Sequence, residues 1–301
     1  MISRRGIVII VLIGLAIVAS STRPWMSGAK LLEAKYSSRF DPYIDMGGST
    51  SASAPFEEAF SAAGIKRVVI QAPMGNITVI KTGGNSIAVE GERIAYGDTM
   101  AEAEAKLPLV SLEAKTCDDV LEIVGLVDRS ATSGLSGMIN TVIQVPAGVN
   151  VESTLSMGKI ALDGIEGSFC ARVEMGEVNA HSTRGDLDIN ISAGAINVSD
   201  AVVAKKLNLV TSMGPIDFAG VLGEHNHIES SAGPVRIRIP RSTCVQVDAD
   251  ASAGQIESSF PITGLSSEKL KSSAIGILGE GTPTGELRIR TSGGEIHISE
   301  L

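Results

Sequence analysis

Aromatic residues are scarce: 3% of the chain, with a single Trp among 301 residues. That scarcity removes the stacking platforms on which single-stranded nucleic acids are held, and it weakens any sugar-binding scheme that needs stacked rings. Positive charge is also short, with 25 Lys and Arg against 34 Asp and Glu and a formal net charge of -9. Nucleic acid is therefore not an expected partner. Cysteine is limited to Cys117, Cys170 and Cys244. An odd count argues against a disulfide framework, and the wide spacing argues against a cysteine-based metal site. No Gly-x-Ser-x-Gly nucleophile elbow occurs. After residue 19 there is no further long apolar run.

What is present begins with an address. Arg4 and Arg5 precede an apolar stretch over residues 6–19, followed by polar Ser20, Ser21 and Thr22. A positive start before a short apolar run is the layout of an export signal. Val18 and Ser20 suit the small-residue positions of a cleavage site. The run is short of the ~20 residues of a full span, yet Trp25 extends it toward an interface. Residues 1–22 thus read as a cleaved signal or an uncleaved anchor. Either places the remainder outside the cytoplasm, membrane-anchored or secreted. No Cys follows the run, so a lipid is not attached there. Residues 23–60 read as a flexible tether, rich in Ser, Ala and Gly over 47–55, with a short helix expected over 56–63.

The main signal is an internal repeat. Ser156-Met157-Gly158-Lys159-Ile160-Ala161-Leu162 returns as Ser192-Ala193-Gly194-Ala195-Ile196-Asn197-Val198 and as Ser212-Met213-Gly214-Pro215-Ile216-Asp217-Phe218. It returns again at Ser231-Ala232-Gly233, Ser252-Ala253-Gly254 and Ser292-Gly293-Gly294, and without the Ser at Glu174-Met175-Gly176. A weaker copy is Met74-Gly75-Asn76-Ile77. The unit is about nineteen residues, and Gly294 stands two periods beyond Gly254. Gly75, Gly158, Gly176, Gly194, Gly214, Gly233, Gly254 and Gly294 read as structural turn residues, because glycine takes conformations that other residues avoid.

After each glycine the residues alternate, apolar at the second and fourth positions: Ile160 with Leu162, Ile196 with Val198, Ile216 with Phe218, Val235 with Ile237, Ile296 with Ile298. Alternation of period two is a half-buried strand. One such unit cannot bury its apolar side, whereas stacked units can. The expected fold is all-β, a single-chain parallel β-solenoid over 61–301. Its first part, 61–147, is irregular and its repeats, 148–301, are regular. At ~4.8 Å per rung, eight units make a rod of about 40 Å. A flat β-sandwich explains the alternation but not the glycine column. Within the first part, Thr99 with Glu102 is a capping-box pattern opening a short helix to Lys106. Strands are expected at 65–72, 86–89, 107–112, 120–124 and 138–145, with a Ser/Gly loop at 130–137.

This order of phrases resembles the putative-adhesin family, domain of unknown function 4097, a toastrack-like β-solenoid. The resemblance is carried by the Gly75-Asn76-Ile77 turn, by Val145-Pro146-Ala147-Gly148-Val149-Asn150-Val151, and by residues 156–167 ending in Asp163-Gly164-Ile165-Glu166-Gly167. It covers roughly residues 61–301. It implies an exported solenoid, often on a membrane anchor, linked by name to adhesion and by context to envelope-stress systems. It implies no catalytic residue.

Candidate chemistry is thin. The serine column (Ser156, Ser192, Ser212, Ser231, Ser252, Ser292) has no repeated base and reads as hydroxyls bonding the turn backbone. Gly185-Asp186 suggests a calcium roll, but Lys159, Glu177, Ala195 and Pro215 stand where other repeats would need ligands. His225 and His227 could hold a transition metal only with a third ligand. Asp248 and Asp250, with Arg236 and Arg238, are the nearest approach to a polysaccharide-cleaving cluster. Asn76, Asn190 and Asn197 head glycosylation acceptor triplets. The chain ends in a strand, and a last rung leaves unpaired backbone groups. Glu295, Ile296, His297 and Ile298 are thus expected to form an edge, shielded by Glu295 and Glu300 or paired with another subunit or partner by strand addition. The expected function is non-enzymatic, without cofactor or metal: an adhesive, binding or scaffolding module contacting a protein or cell-surface component. The alternatives are envelope-stress sensing with a membrane partner and a β-helix polysaccharide-active enzyme.

Overall fold

The computed structural model describes residues 50–127, 137–267 and 272–301. The expected signal or anchor segment, most of the expected tether and most of the expected Ser/Gly loop lie outside the described residues. The fold is nearly all β. Strands are β1 (Thr50–Ser61), β2 (Arg67–Thr82), β3 (Ser86–Gly97), β4 (Val110–Cys117), β5 (Val120–Val127) and β6 (Gly137–Pro146). They continue as β7 (Asn150–Asp163), β8 (Phe169–His181), β9 (Arg184–Met213), β10 (Ile216–Val221), β11 (His225–Ala232) and β12 (Val235–Ile239). The last are β13 (Val245–Ala251), β14 (Ile256–Ser258), β15 (Leu265–Ser267), β16 (Ser272–Leu278), β17 (Glu286–Thr291) and β18 (Ile296–Glu300).

Helix is confined to α1 (Met100–Lys106) and a one-turn 3₁₀ segment at Leu107–Leu109 among the described residues. The Thr99 hydroxyl caps α1 by accepting from the Glu102 amide at 3.3 Å, and the Glu102 carboxylate accepts from the Asp98 amide at 3.0 Å. Pro108 follows directly, so the strand expected from residue 107 begins at Val110. Residues 50–61, expected as tether and as the start of a short helix, form a strand instead. β1 pairs antiparallel with β3 along its whole length, from Thr50 opposite Gly97 to Ser61 opposite Ser86. Alternate side chains meet the sheet, and Phe56 packs against the core, which a free tether could not achieve.

The core is built by in-register parallel pairing. Val68 stands beside Val151, Val151 beside Phe169, and Phe169 beside Leu187. After the glycine, Ile77, Ile160, Val178, Ile196 and Ile216 line up in the same way. Each rung therefore has two arms, one before and one after its glycine. The inward positions of both arms are buried, and burial of each such Ile, Val or Leu contributes roughly 1.5–3 kcal/mol.

The corner between the arms explains the glycines. A Cβ on Gly158 would overlap the carbonyl of Gly75, one on Gly176 that of Gly158, and one on Gly194 that of Gly176. The same relation runs from Gly194 to Gly214 and on to Gly233. Gly176 also has φ +148°, a backbone region that disfavours other residues. All the glycines singled out by the repeat stand in this one column.

Stack order is not chain order at either end. β2 lies between β7 on one side and β5 with β6 on the other, all parallel to it. At the far end, β17 lies between β11 and β13, and β18 between β12 and β14. Gly294 accordingly sits between Gly233 and Gly254 in the column. The edge expected at Glu295, Ile296, His297 and Ile298 is therefore an interior position: Ile296 is flanked by Val235 and by Ile256. The chain skips a rung, lays down β13 and β14, and returns to fill the gap. Antiparallel strands then close the ends: β16 pairs with β13 and β15 with β16, while β4 pairs with β5, β3 with β6 and β1 with β3.

Two outcomes follow. Gly176→Ala, which adds a clash with the Gly158 carbonyl to the backbone strain, should lower unfolding free energy in urea by more than about 3 kcal/mol. Gly83→Ala, where a Cβ meets nothing within 4 Å, should change it by less than about 0.5 kcal/mol. Ile296→Ala should cost about 2–5 kcal/mol, as for a buried core residue, whereas an exposed edge strand would tolerate it. Urea unfolding monitored by circular dichroism measures both.

Candidate functional site

The first arms of adjacent rungs form a sheet whose outward residues fall into rows. One row lies six residues before each column glycine and contains Glu152, Cys170, Asp188, Asn208, His227, Arg288 and Asp248. The next lies four before and contains Thr154, Arg172, Asn190, Val210, Glu229, Arg290 and Asp250. In-register stacking sets these side chains about 4.8 Å apart, so neighbours of opposite charge meet.

At one end of the face Glu152 lies 3.4 Å from Arg172 and 3.8 Å from Arg67. Asp188 accepts from the amides of Asn208 at 2.7 Å and Asn190 at 2.8 Å, with Lys206 at 3.5 Å. Burial pushes the Asp188 carboxyl up, but those donors and Lys206 together outweigh it and hold the group below its ordinary value. Between them, the Cys170 thiol is pushed up chiefly by burial, partly offset by Arg172. A shallow groove of about 280 Å³ runs along this region, bordered by Arg67, Asn150, Ser168, Cys170, Asp186 and Lys206. Asp186, the possible calcium ligand, instead accepts from the backbone amides of Lys205 and Lys206 at 2.8 and 3.0 Å. Cys117, Cys170 and Cys244 are unpaired.

At the other end the expected partners of Asp248 and Asp250 are replaced. Arg236 and Arg238 lie on β12, in the second arm, where Arg236 pairs with Asp217 at 3.5 Å. The swapped rung brings Arg288 and Arg290 beside Asp248 and Asp250. Arg290 Nη2 lies 2.5 Å from Asp248 Oδ2, its Nη1 donates to the Asp248 carbonyl at 2.8 Å, and Arg288 Nε lies 3.7 Å away. His225 and His227 share this face but hold separate carboxylates, Glu286 at 3.0 Å and Glu229 at 3.2 Å. Among the described residues no group of three or more His, Cys, Asp or Glu gathers around a metal position.

The remaining candidates are placed as follows. The hydroxyls that bond the turn backbone belong to Thr211, Ser230 and Thr291, three residues before their glycines, donating to the carbonyls of Gly194, Gly214 and Gly233 at 3.1, 2.9 and 3.2 Å. The expected serine column lies one position later and points outward; its Ser252 donates to Asp250 instead. The acceptor asparagines are tied into the surface: Asn76 to Asn140, Asn190 to Asp188, and Asn197 to both Asn179 and Glu177.

Comparison with known proteins gives structural likeness alone. No family model matches the chain, and no curated protein matches it. Similar solved structures include a putative cell adhesion protein from Clostridium sporogenes, 15% identical, with a TM-score of 0.33 over 82% of this chain and 100% of that one. Another is a putative adhesin from Parabacteroides merdae, 10% identical, with a TM-score of 0.35 over 85% of this chain and 98% of that one. Identity this low and superposition this loose transfer no activity to the present chain.

The Asp248 pair carries a pH signature. Its carboxyl is held below the ordinary range, first by the Arg290 hydrogen bond, against some burial, and then by the charges of Arg290 and Arg288. A lowered folded-state pKa adds stability above the unfolded-state value, and that stability fades as pH falls through the folded-state value. The stability difference between wild type and Asp248→Asn should therefore be largest near neutral pH and shrink in acid. Urea unfolding between pH 7 and pH 3 measures it.

Proposed function

We propose that the chain is a β-solenoid acting, without catalysis, as an adhesive, binding or scaffolding module at the cell envelope. In this reading residues 1–22 export it or hold it at the membrane, and the described strands stand outside. The observation that carries the reading is the lattice on the first-arm face. Arg172 with Glu152, Lys206 with Asp188, and Arg290 with Asp248 are ion pairs bridging rungs, on strands whose positions the buried core fixes. Such a face offers many weak, preorganised contacts along one direction, which suits an extended protein or surface partner. The resemblance of residues 61–301 to the putative-adhesin family points the same way.

Crosslinking on intact cells tests this. A defined surface or membrane partner should be recovered with the chain, and Arg288→Glu combined with Arg290→Glu should lower its yield several-fold. External protease should reach the strands. Cleavage of a polysaccharide by the purified chain, abolished by changing Asp248, would overturn the non-catalytic reading.

A further inference from the structure

The position immediately before each column glycine forms a row of its own. Met74 stands beside Met157, Met157 beside Met175, and Met175 beside Ala193; further along, Met213 stands beside Ala232. Other rungs carry Gly293 and Ala253 at this offset. The corner is thus built as well by Ala or Gly as by Met, and the fold does not demand a long side chain there. Yet Met175 and Met213 are 54% and 61% exposed, an apolar surface that costs free energy in water. Met157 is half-buried, and Met74 is only 3% exposed; beyond it on β6 lies Met138, whose sulfur accepts from the Tyr96 hydroxyl at 2.9 Å.

Three methionines on consecutive in-register rungs have a chemical use. Thioether sulfur is a soft ligand that selects Cu(I) over the harder divalent ions. A sulfur–metal bond of about 2.3 Å, as for zinc and thiolate, spans about 4.6 Å from sulfur to sulfur through a two-coordinate ion. That nearly equals the ~4.8 Å between rungs. Methionine's unbranched chain lets the sulfur adjust to the remaining difference. The stack itself sets the ligand spacing, so no loop needs to close.

We propose that Met74, Met157 and Met175 form a thioether ladder that binds a soft monovalent metal ion, Cu(I) or its analogue Ag(I), between consecutive rungs. Met157 is the shared ligand, since it stands between Met74 and Met175. Met213, flanked by Ala193 and Ala232, has no partner thioether and serves as an internal control.

The test is titration of the full chain with Ag(I) in chloride-free buffer, followed by the methyl resonances of ¹³C-methyl methionine. Cys117→Ser and Cys170→Ser are included, because these accessible thiols would otherwise take the ion first. Saturable shifts are expected for Met157 and for Met74 or Met175, with Met213 unmoved. Met157→Leu, which conserves volume, should weaken binding at least about tenfold with unchanged thermal unfolding in the absence of metal. Met213→Leu should leave binding as it was. The proposal is overturned if no saturable shift appears, if Met213 shifts as much as Met157, or if Met157→Leu binds Ag(I) like its parent.

Discussion

Everything in this structure depends on a backbone that turns a corner without leaving its ladder. At that corner each rung's carbonyl occupies the space where a Cβ of the next rung would lie, from Gly75 to Gly158 to Gly176 and onward. The close approach is self-propagating, because one glycine corner accepts only another glycine above it. It also locks register. If a rung slipped by one residue, its glycine would leave the column and its inward set would turn to solvent. The buried hydroxyls of Thr211, Ser230 and Thr291 reinforce this by donating to glycine carbonyls one rung back. They occur where Leu155, Val173 and Ile191 give way to polar residues, so the later corners exchange some apolar burial for directional bonds.

A stack of this kind has open ends, and open ends recruit further strands. The chain meets this by placing its first and last full rungs one position inside the stack. β2 is covered by β5 and β6, and the β17–β18 rung by β13 and β14. Antiparallel strands finish each end, and the final pieces β14 and β15 are only three residues long. Short pieces offer few free backbone groups as a template. The arrangement also couples distant parts of the chain: removing residues 286–300 would leave β13 and β14 without their parallel neighbours.

The glycine spacing, the alternation and the capping box at Thr99 were all legible in the sequence because each is local, and the all-β character followed from them. Stack order was not legible. The interval from Gly254 to Gly294 equals two periods whether the intervening residues form a rung or an antiparallel cover, so spacing is silent on insertion. That single ambiguity misplaced the Arg partners of Asp248 and turned the buried Ile296 into an expected edge. A signal did exist: Arg288 and Arg290 stand six and four residues before Gly294, as Asp248 and Asp250 do before Gly254. Offset from the column glycine assigns a side chain to a row; only opposite charge between rows suggests which rungs adjoin. The strand β1 was hidden for another reason, since its Ser and Ala content reads as linker and its pairing with β3 is a tertiary contact.

The same offset logic separates what the fold needs from what it merely permits. Three residues before the glycine, the chain needs a buried side chain or a hydroxyl. At the glycine it needs the absence of one. One residue before, Ala193, Ala232, Gly293 and Met175 are all accommodated, so identity there is free to answer to something other than folding. The outward rows six and four before are equally free, and they carry charges of both signs. A scaffold that fixes position so tightly and identity so loosely presents chosen side chains at ~4.8 Å intervals along a line. Chemistry that requires groups converging on one atom from several directions is hard to build on such rows. Chemistry that requires equal spacing along a line, as for an extended partner or an ion held between two rungs, uses the spacing the core already supplies.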